Sequence, residues 1–284
     1  MKRVGLVPHR ERPVALALAR EAAAWLRAHE VEVRLPEAEA YAAGLEEYAC
    51  DVSAFTDGLD VVISLGGDGT MLHTFQLVYP EPVALLGVNV GQLGYLTALE
   101  PDDLAMALPH IVAGDYAVSD RSVLEVHVHS AGPAGGTWFA LNETVLEKVR
   151  AGHLVRLEVS INGSPFTTYA ADGVIVATPT GSTAYSFSAR GPIVSPALHC
   201  VLLTPVSPHM LFDRTLLLGP EEELEFVVSD GSIVALTVDG REVGELVAGN
   251  RVTSRAAARP AHVITFAPRD FHQILKAKFA LPDR

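Results

Sequence analysis

Residues 60–70, Asp60-Val-Val-Ile-Ser-Leu-Gly-Gly-Asp-Gly-Thr70, decide the fold class of this chain. The apolar run up to Leu65 is typical of a strand that is buried on both faces. Gly66-Gly67-Asp68-Gly69 interrupts this run, and residues 70–78 continue with a helical pattern. A strand, a glycine turn and a helix in this order predict an α/β unit with a parallel sheet.

The neighbouring segments extend the same alternation of strands and helices. Further strands are predicted at residues 3–7, 31–35 and 82–88, and a closing helix at residues 101–112. Pro13 is predicted to open a helix, since its fixed φ suits a first turn. The apolar positions of that helix, spaced by three or four, are Val14, Leu18, Ala22, Trp25 and Leu26.

Beyond Tyr116 the pattern changes to short alternating strands separated by turn residues, which predicts a mainly antiparallel β half. Three dipeptides are typical of tight hairpin turns, namely Asn162-Gly163, Asp230-Gly231 and Asp239-Gly240. The loop at residues 130–136 is predicted to join a further hairpin. Residues 269–279 are predicted to form a last amphipathic helix.

Charge and composition limit the function classes that remain. The chain has 284 residues, 49% of them hydrophobic, and a formal net charge of −13, which disfavours nucleic acid or an anionic membrane as a partner. Its four lysines lie in no G-x-x-x-x-G-K-[ST] run, so a Walker-type phosphate loop is excluded. A nucleotide must therefore be bound in another way.

The two cysteines, Cys50 and Cys200, are too few and too far apart to indicate a disulfide framework or a thiolate zinc site. The apolar stretch after Met1 ends at Pro8, which is too short for a signal peptide. No run approaches the ~18 apolar residues of a membrane span. We therefore expect a soluble, cytoplasmic protein.

The glycine turn at residues 66–69 is the first candidate site. Backbone N–H groups at the start of a helix attract phosphate, and glycine allows close approach of the ligand. Asp68 would repel such a ligand unless it handles a proton or a metal. An ordinary strand–helix turn with Asp68 as the helix cap remains the alternative for this segment taken alone.

Two later segments carry polar groups within β patterns. Asn142-Glu143 interrupts apolar neighbours, and an amide next to a carboxylate can serve an adenine edge and ribose hydroxyls, although a turn or cap is equally compatible. The buried strand at residues 173–177 runs into Thr178-Pro-Thr-Gly-Ser-Thr183, a hydroxyl-rich turn followed by Tyr185. Such a surface suits a neutral polar ligand edge, while Asp172 and Tyr185 alone could equally be structural.

The motifs together, in this order, resemble those of the NAD kinase family. The matching segments are Gly66-Gly-Asp-Gly-Thr70, Gly87 to Thr97, Asn142-Glu143, Thr178 to Tyr185, Thr204 to His209 and Thr237-Val-Asp-Gly240. The first motif is shared with diacylglycerol-type lipid kinases, whereas the hydroxyl-rich segment is specific. The resemblance implies an ATP-dependent NAD kinase, a phosphotransferase with an alcohol group as acceptor that forms NADP.

The resemblance also implies the architecture. It consists of a Rossmann-like α/β domain with a parallel sheet at residues 1–100 and 268–284, and a β-rich, mainly antiparallel NAD-binding domain at residues 101–267. The site would lie in the cleft between them. A homodimer or homotetramer is implied as well, with NAD and ATP, or polyphosphate in place of ATP, as the small-molecule partners.

By the same resemblance, Asp68 is the expected general base. The expected phosphate-binding residues are Gly66, Gly67, Gly69 and Thr70. The expected NAD-binding residues are Gly69, Asn142, Glu143, Asp172, Thr180, Thr183, Ala184, Tyr185, Ser188 and His209. Without a Walker lysine, backbone N–H groups and a Mg²⁺ that enters with ATP are expected to offset the phosphate charge, and no dedicated metal cage is expected.

Two positions depart from the family pattern, and two other functions remain open. Arg190 stands where a second glycine is common, and Arg241 stands where glutamine is common. A diacylglycerol-type lipid kinase would call for an apolar, membrane-facing groove and some basic surface. A non-catalytic NAD(P) sensor would keep the pocket without turnover. The uncharged residues before Asp172 predict poor discrimination between NAD and NADH.

Overall fold

The protein is described from a computed structural model, which covers residues 3–92, 94–229, 231–266 and 271–282. The chain forms two compact units. The α/β unit comprises Met1–Asp120 and Ala261–Arg284, and the β unit comprises Arg121–Pro260. Each unit has its own hydrophobic core.

The strands are numbered in chain order. They are β1 (Arg3–Pro8), β2 (Glu32–Pro36), β3 (Ala49–Cys50), β4 (Val61–Gly66), β5 (Ala84–Asn89), β6 (Ala117–Arg121), β7 (Leu124–His129), β8 (Gly136–Ala140), β9 (Glu143–Lys148), β10 (Val155–Ile161), β11 (Ser164–Ala171), β12 (Gly173–Ala177), β13 (Val201–Val206), β14 (Leu216–Leu218), β15 (Leu224–Val228), β16 (Ile233–Val238), β17 (Arg241–Val247), β18 (Arg251–Ala256) and β19 (Ala261–Thr265).

The helices are numbered in the same way. They are α1 (Pro13–Ala28), α2 (Glu37–Ala43), α3 (Val52–Phe55), α4 (Asp68–Val78), α5 (Leu104–Ala113), α6 (Tyr185–Ser188) and α7 (Phe271–Lys278). Short 3₁₀ turns occupy Glu46–Tyr48, Pro101–Asp103 and Thr180–Thr183. Residues 269 and 270 of the predicted last helix lie outside the described residues.

The sheet of the α/β unit has the strand order β3-β2-β1-β4-β5-β19-β6. Strands β2, β1, β4, β5 and β19 pair with one another in parallel, which confirms the predicted parallel sheet. Strand β4 is buried along its whole length because it is an inner strand of the sheet, between β1 and β5, and helices α1 and α4 pack against it. The carboxyl ends of β1 and β4 therefore lie side by side, with Pro8 opposite Leu65.

The boundaries of the units differ from the predicted division at residues 100 and 267. Helix α5 places Leu104, Leu108 and Ile111 in the core of the α/β unit, and β6 joins its sheet. Strand β19 returns from the β unit and pairs with β5. Sheet pairing over such a sequence distance leaves no local signal in the chain.

Helix α1 begins at Pro13, as predicted. Its buried residues are Ala15, Ala19, Ala22, Ala23 and Leu26. Ala22 and Leu26 are thus the buried members of the apolar spacing that indicated the helix, whereas Val14 is 54% exposed. The buried face is built mainly of alanine.

The β unit consists of two antiparallel sheets. Their strand orders are β11-β10-β15-β18-β7-β8 and β14-β13-β12-β9-β16-β17. Alternate residues of both sheets, such as Leu157 and Phe226 from the first and Leu146 and Val176 from the second, share one core. This face-to-face packing confirms the predicted antiparallel β half.

Two of the three predicted hairpin turns are confirmed. Asn162-Gly163 joins β10 to β11, and Asp239-Gly240 joins β16 to β17, each with both residues at positive φ. The predicted loop at residues 130–136 joins the hairpin of β7 and β8. The third hairpin was wrong, because β15 and β16 belong to different sheets, although Asp230 itself lies outside the described residues.

None of the helices in the described ranges has the length and apolar character that a membrane crossing requires.

Candidate active site

The glycine turn lies at the carboxyl end of β4, where Gly67 caps helix α4 and Asp68 is its first residue. The Asp68 carboxylate accepts hydrogen bonds from the backbone N–H groups of Tyr95 and Leu96, both at 2.9 Å. Gly94 makes this possible, because a β-carbon there would lie only 2.4 Å from Asp68 Oδ1. The loop after β5 therefore fixes the carboxylate, which explains part of the glycine-rich segment at residues 87–97.

The glycines of the turn have different surroundings. Gly66 is buried, and a β-carbon there would lie 2.1 Å from Thr70 Oγ1, so this glycine serves close packing within the turn. At Gly67 and Gly69 a β-carbon would meet nothing within 4 Å. Gly67, Gly69 and Thr70 line an open cavity of about 410 Å³. Their position at a helix N-terminus suits an anion.

Basic side chains line the same cavity. Arg10 and Arg12 come from the segment that follows β1, and His73 comes from the second turn of α4. The sequence predicted that only backbone N–H groups and a metal would offset phosphate charge, and it missed these residues. One feature of the sequence could have identified the two arginines. They belong to the run His9-Arg10-Glu11-Arg12, which directly follows β1, the strand that pairs with β4.

Glu39 balances part of this positive charge. It is only 4% exposed, and its Oε1 lies 3.4 Å from His73 Nε2 and 3.7 Å from Arg10 Nε. Burial would raise the pKa of Glu39, but the hydrogen bond and charge of His73, with a contribution from Arg10, lower it below its ordinary value. Glu39 therefore remains an anion that holds the side chains of His73 and Arg10 at the cavity.

The β unit assembles a second group of predicted residues around Asn142-Glu143, where β8 gives way to β9. Asp239, in the turn between β16 and β17, accepts hydrogen bonds from the backbone N–H groups of Leu141, Asn142 and Glu143 at 2.8, 2.8 and 3.1 Å. Asp239 therefore fixes the backbone that presents Asn142 and Glu143. The sequence marked Asp239 only as a motif residue.

The hydroxyl-rich turn packs directly on this segment. Thr178 Oγ1 donates to Leu141 O at 2.6 Å, and Thr178 N–H donates to Asn142 O at 2.8 Å. Gly181 lies so close that a β-carbon there would be 2.1 Å from Asn142 O. The two predicted motifs therefore form one structure, although Thr178 lies 36 positions after Asn142 in the sequence.

We expect Gly181→Ala to disrupt this arrangement. The new β-carbon would overlap backbone atoms of Asn142, which cannot move away as a flexible side chain could. The unfolding free energy should fall by about 1–3 kcal/mol, as in other overpacked sites. Denaturant unfolding measures the change, and Gly219→Ala is the control for loss of a glycine, because Gly219 has no positive φ and a β-carbon there would lie 3.5 Å from its nearest neighbour, Glu222 Oε2. An unchanged unfolding free energy for Gly181→Ala would contradict the expected close approach.

Glu143 is a buried acid of the β unit whose pKa lies well above its ordinary value. It is 8% exposed, and burial raises its pKa to about 7, with the Asp239 carboxylate adding to the increase and the Tyr185 backbone N–H opposing it. Among the described residues, Glu143 Oε2 and the nearby motif atom Thr180 Oγ1 are both buried without a hydrogen-bond partner. Unsatisfied buried polar atoms are costly, so both atoms fit a site that is completed by the hydroxyl groups of a ligand.

The remaining predicted residues have more varied surroundings. Tyr185 and Ser188 line a separate cavity of about 460 Å³ within the β unit. Burial raises the pKa of Tyr185, and the carboxylates of Glu147 and Asp172 add to this increase, so Asp172 lies near Tyr185. Asp172 Oδ1 also pairs with Lys148 Nζ at 2.5 Å.

The last three predicted residues, Thr183, Ala184 and His209, are held by hydrogen bonds to backbone carbonyl groups. Thr183 Oγ1 donates to Thr180 O at 3.3 Å, and Ala184 N–H donates to Gly181 O at 2.9 Å. His209 is exposed, and its backbone N–H donates to Ala170 O at 2.8 Å. The cavity that Tyr185 and Ser188 line is bordered by Pro208 and Met210 rather than by the imidazole.

Within the described ranges, no group of three or more histidine, cysteine or acidic side chains is arranged to hold a metal ion. The donor set at the glycine turn is a single carboxylate, Asp68, with both oxygens already accepting N–H bonds. This arrangement fits a cation that arrives with phosphate ligands better than a resident one.

A glycine turn with a fixed carboxylate, next to a cation-lined cavity in a parallel α/β unit, defines the class as a phosphotransferase. Comparison with known proteins identifies the family. Residues 4–116 match the ATP-NAD kinase N-terminal domain, and residues 141–266 match the ATP-NAD kinase C-terminal domain. The chain belongs to the NAD kinase family.

Individual relatives agree with this assignment. The NAD kinase of Heliobacterium modesticaldum is 40% identical over 98% of both chains, and that of Syntrophotalea carbinolica is 37% identical over 100% of both. The NAD kinase from Archaeoglobus fulgidus in complex with ATP has a TM-score of 0.71 and 26% identity, over 99% of this chain and 98% of that one. Yeast NADH kinase complexed with NADH has a TM-score of 0.92 at 24% identity, over 100% of this chain and 89% of that one, and shows the shared fold.

Proposed function

We propose that this NAD kinase transfers the γ-phosphoryl group of ATP to the 2′-hydroxyl of the adenosine ribose of NAD, with Asp68 as the general base. The observation that carries the proposal is the Asp68 carboxylate, fixed by two N–H bonds at the glycine turn. Each carboxylate oxygen retains a lone pair after accepting one bond, so Asp68 can still take a proton from an alcohol.

The proposed donor site is the cavity beside the turn. Phosphoryl transfer requires mainly alignment and charge stabilisation from a protein. The N–H groups at the start of α4 and the guanidinium groups of Arg10 and Arg12 supply positive charge for the ATP phosphates. Mg²⁺, held by the phosphate oxygens and by water, would neutralise further charge when it is bound with ATP.

The proposed acceptor site is in the β unit. Glu143, once ionised, accepts hydrogen bonds from ribose hydroxyls, and the Asn142 amide donates to and accepts from the adenine edge or the ribose. Asp239 positions both through the backbone. Thr180, with its unpartnered buried hydroxyl, and Tyr185 complete the group. Asp172, Thr183, Ala184, Ser188 and His209 remain proposed contacts of the dinucleotide.

The direct test supplies NAD, ATP and Mg²⁺ and measures NADP formation. We expect NADP from the wild-type protein, while NAD binding by calorimetry without any product would support a non-catalytic sensor instead. Replacing ATP with polyphosphate, and NAD with NADH, in parallel assays identifies the donor and acceptor range. A hundredfold preference for NAD over NADH would contradict the predicted poor discrimination. Size-exclusion chromatography with light scattering distinguishes the proposed homodimer from a homotetramer.

A further inference from the structure

Arg190 adopts a backbone conformation that arginine rarely takes. It follows helix α6 with φ of +67°, in the left-handed region, where a β-carbon is crowded and glycine is favoured. Its N–H donates to Phe187 O at 3.0 Å, and the following Gly191 N–H donates to Ser186 O at 2.7 Å. The bend after α6 thus requires this conformation, and glycine at position 190 would provide it at lower cost.

The side chain of Arg190 contributes no structural interaction that offsets this cost. It is exposed, and among the described residues its guanidinium makes no hydrogen bond or ion pair. A left-handed residue is common just after a helix, and Glu30 and Ala280 adopt the same conformation after α1 and α7. The conformation alone therefore does not indicate a ligand, whereas the exposed guanidinium without a protein partner is available to bind one.

The surroundings of Arg190 indicate the charge of that ligand. Arg190 lines the cavity of about 460 Å³ together with Arg214, Tyr185 and Ser188. Asp213 is the carboxylate of this lining, and it lies 3.5 Å from Arg214 rather than beside Arg190. Since Asp213 pairs with Arg214, Arg190 is the cation of the lining that this carboxylate does not balance. The carboxylates of Glu147 and Asp172 act on Tyr185 without lining the cavity, and Asp172 is paired with Lys148. Such a lining selects an anion.

We propose that Arg190 binds a phosphate group of the dinucleotide, in the cavity that it shares with Arg214, Tyr185 and Ser188. The proposal rests on the proposed function, because that function assigns Tyr185 and Ser188 to the dinucleotide. A guanidinium group donates two parallel hydrogen bonds to phosphate, and this geometry is specific to arginine. Arg190 would thereby strengthen binding of the phosphate-bearing dinucleotide without strengthening binding of a neutral nucleoside.

The test compares Arg190→Gly and Arg190→Asn with the wild type by calorimetry at low salt. Both replacements tolerate positive φ, so neither should lower the unfolding temperature. We expect the dissociation constant for NAD to rise about tenfold in both variants, while that for adenosine, which has no phosphate, is unchanged. Arg156→Gln, at an exposed arginine that does not line the cavity, should bind NAD like the wild type.

Wild-type affinity for NAD in both Arg190 variants would overturn the proposal, as would an equal loss of adenosine binding. Arg190→Lys separates charge from geometry, and we expect it to recover only part of the affinity. The proposed function fails separately, if the wild type forms no NADP. Should the wild type bind no NAD at all, titration with inorganic pyrophosphate decides the role of Arg190, since equal binding by wild type and Arg190→Gly contradicts it.

Discussion

Asp68→Asn should lower kcat by about 10² or more while changing the dissociation constant for NAD little. The amide that replaces the carboxylate has nearly the same shape but cannot take a proton from the ribose hydroxyl. Steady-state NADP formation and calorimetry with NAD measure the two quantities separately. Asp102→Asn, at an exposed acid in the 3₁₀ turn before α5, is the matched control and should retain normal turnover. Turnover within a few-fold of the wild type would remove Asp68 from the role of general base.

The structure also indicates how to separate loss of the base from loss of local order. An amide has one acceptor oxygen, so one of the N–H groups of Tyr95 and Leu96 loses its acceptor in Asp68→Asn. Gly94→Ala instead displaces the carboxylate but keeps it, because the new β-carbon would lie 2.4 Å from Oδ1. We expect Gly94→Ala to reduce turnover less than Asp68→Asn does, because the displaced carboxylate can still take a proton whereas the amide cannot.

Glu143→Gln should make the free protein more stable at alkaline pH and weaken its binding of NAD. Burial raises the pKa of Glu143 from 4.5 to about 7. Between pH 4.5 and about pH 7, Glu143 therefore holds its proton in the folded protein but loses it in the unfolded chain. The contribution of this group to stability is therefore fully present below pH 4.5 and is lost as the pH rises through 7. A glutamine at position 143 does not ionise, so its contribution to stability does not fall as the pH rises.

Denaturant unfolding of Glu143→Gln and of the wild type measures this effect. The free energy difference between them should shift in favour of the variant by about 2 kcal/mol from about pH 5.5 to about pH 8. Glu221→Gln, at an exposed glutamate, should show no comparable shift. A pH-independent difference for Glu143→Gln would contradict a raised pKa in the folded state.

Binding of NAD should depend on pH in the opposite sense. Ribose hydroxyls donate to the ionised carboxylate, so the affinity of the wild type should rise, by up to about tenfold, as the pH increases through 7. The affinity of Glu143→Gln should be lower and independent of pH over this range. Calorimetry at several pH values measures the dissociation constants for NAD. If the wild type binds NAD equally well at all of them, Glu143 is excluded as an ionised ribose ligand.

Sequence reasoning was most successful where the signal is local. The buried run before Gly66, the glycine turn and the onset of α4 lie within a dozen residues, and periodicity alone placed them correctly. The hairpins at Asn162-Gly163 and Asp239-Gly240 were predictable for the same reason, since two residues at positive φ define the turn. The hairpin at Asp230-Gly231 failed because a turn dipeptide does not say whether its flanking strands share a sheet.

The candidate site was less accessible to such reasoning. The motif residues Asp68, Asn142 and Glu143 were recognised, but their ligand roles remain predictions. Their supports were not recognised as such: the N–H groups of Tyr95 and Leu96 hold Asp68, and Asp239 holds the backbone of Asn142-Glu143. The basic side chains of Arg10 and His73 were missed because neither belongs to a lysine-based phosphate motif.

The amino-acid sequence by itself determined the order of elements, the glycine turn and the acid at its centre, because each depends on contacts between residues close together in the chain. Only the tertiary structure decided the protonation of Glu143, the partners of Glu39 and the unfavourable backbone of Arg190. Burial and electrostatic interactions depend on which distant residues the fold brings within a few ångströms, and no local pattern encodes those distances.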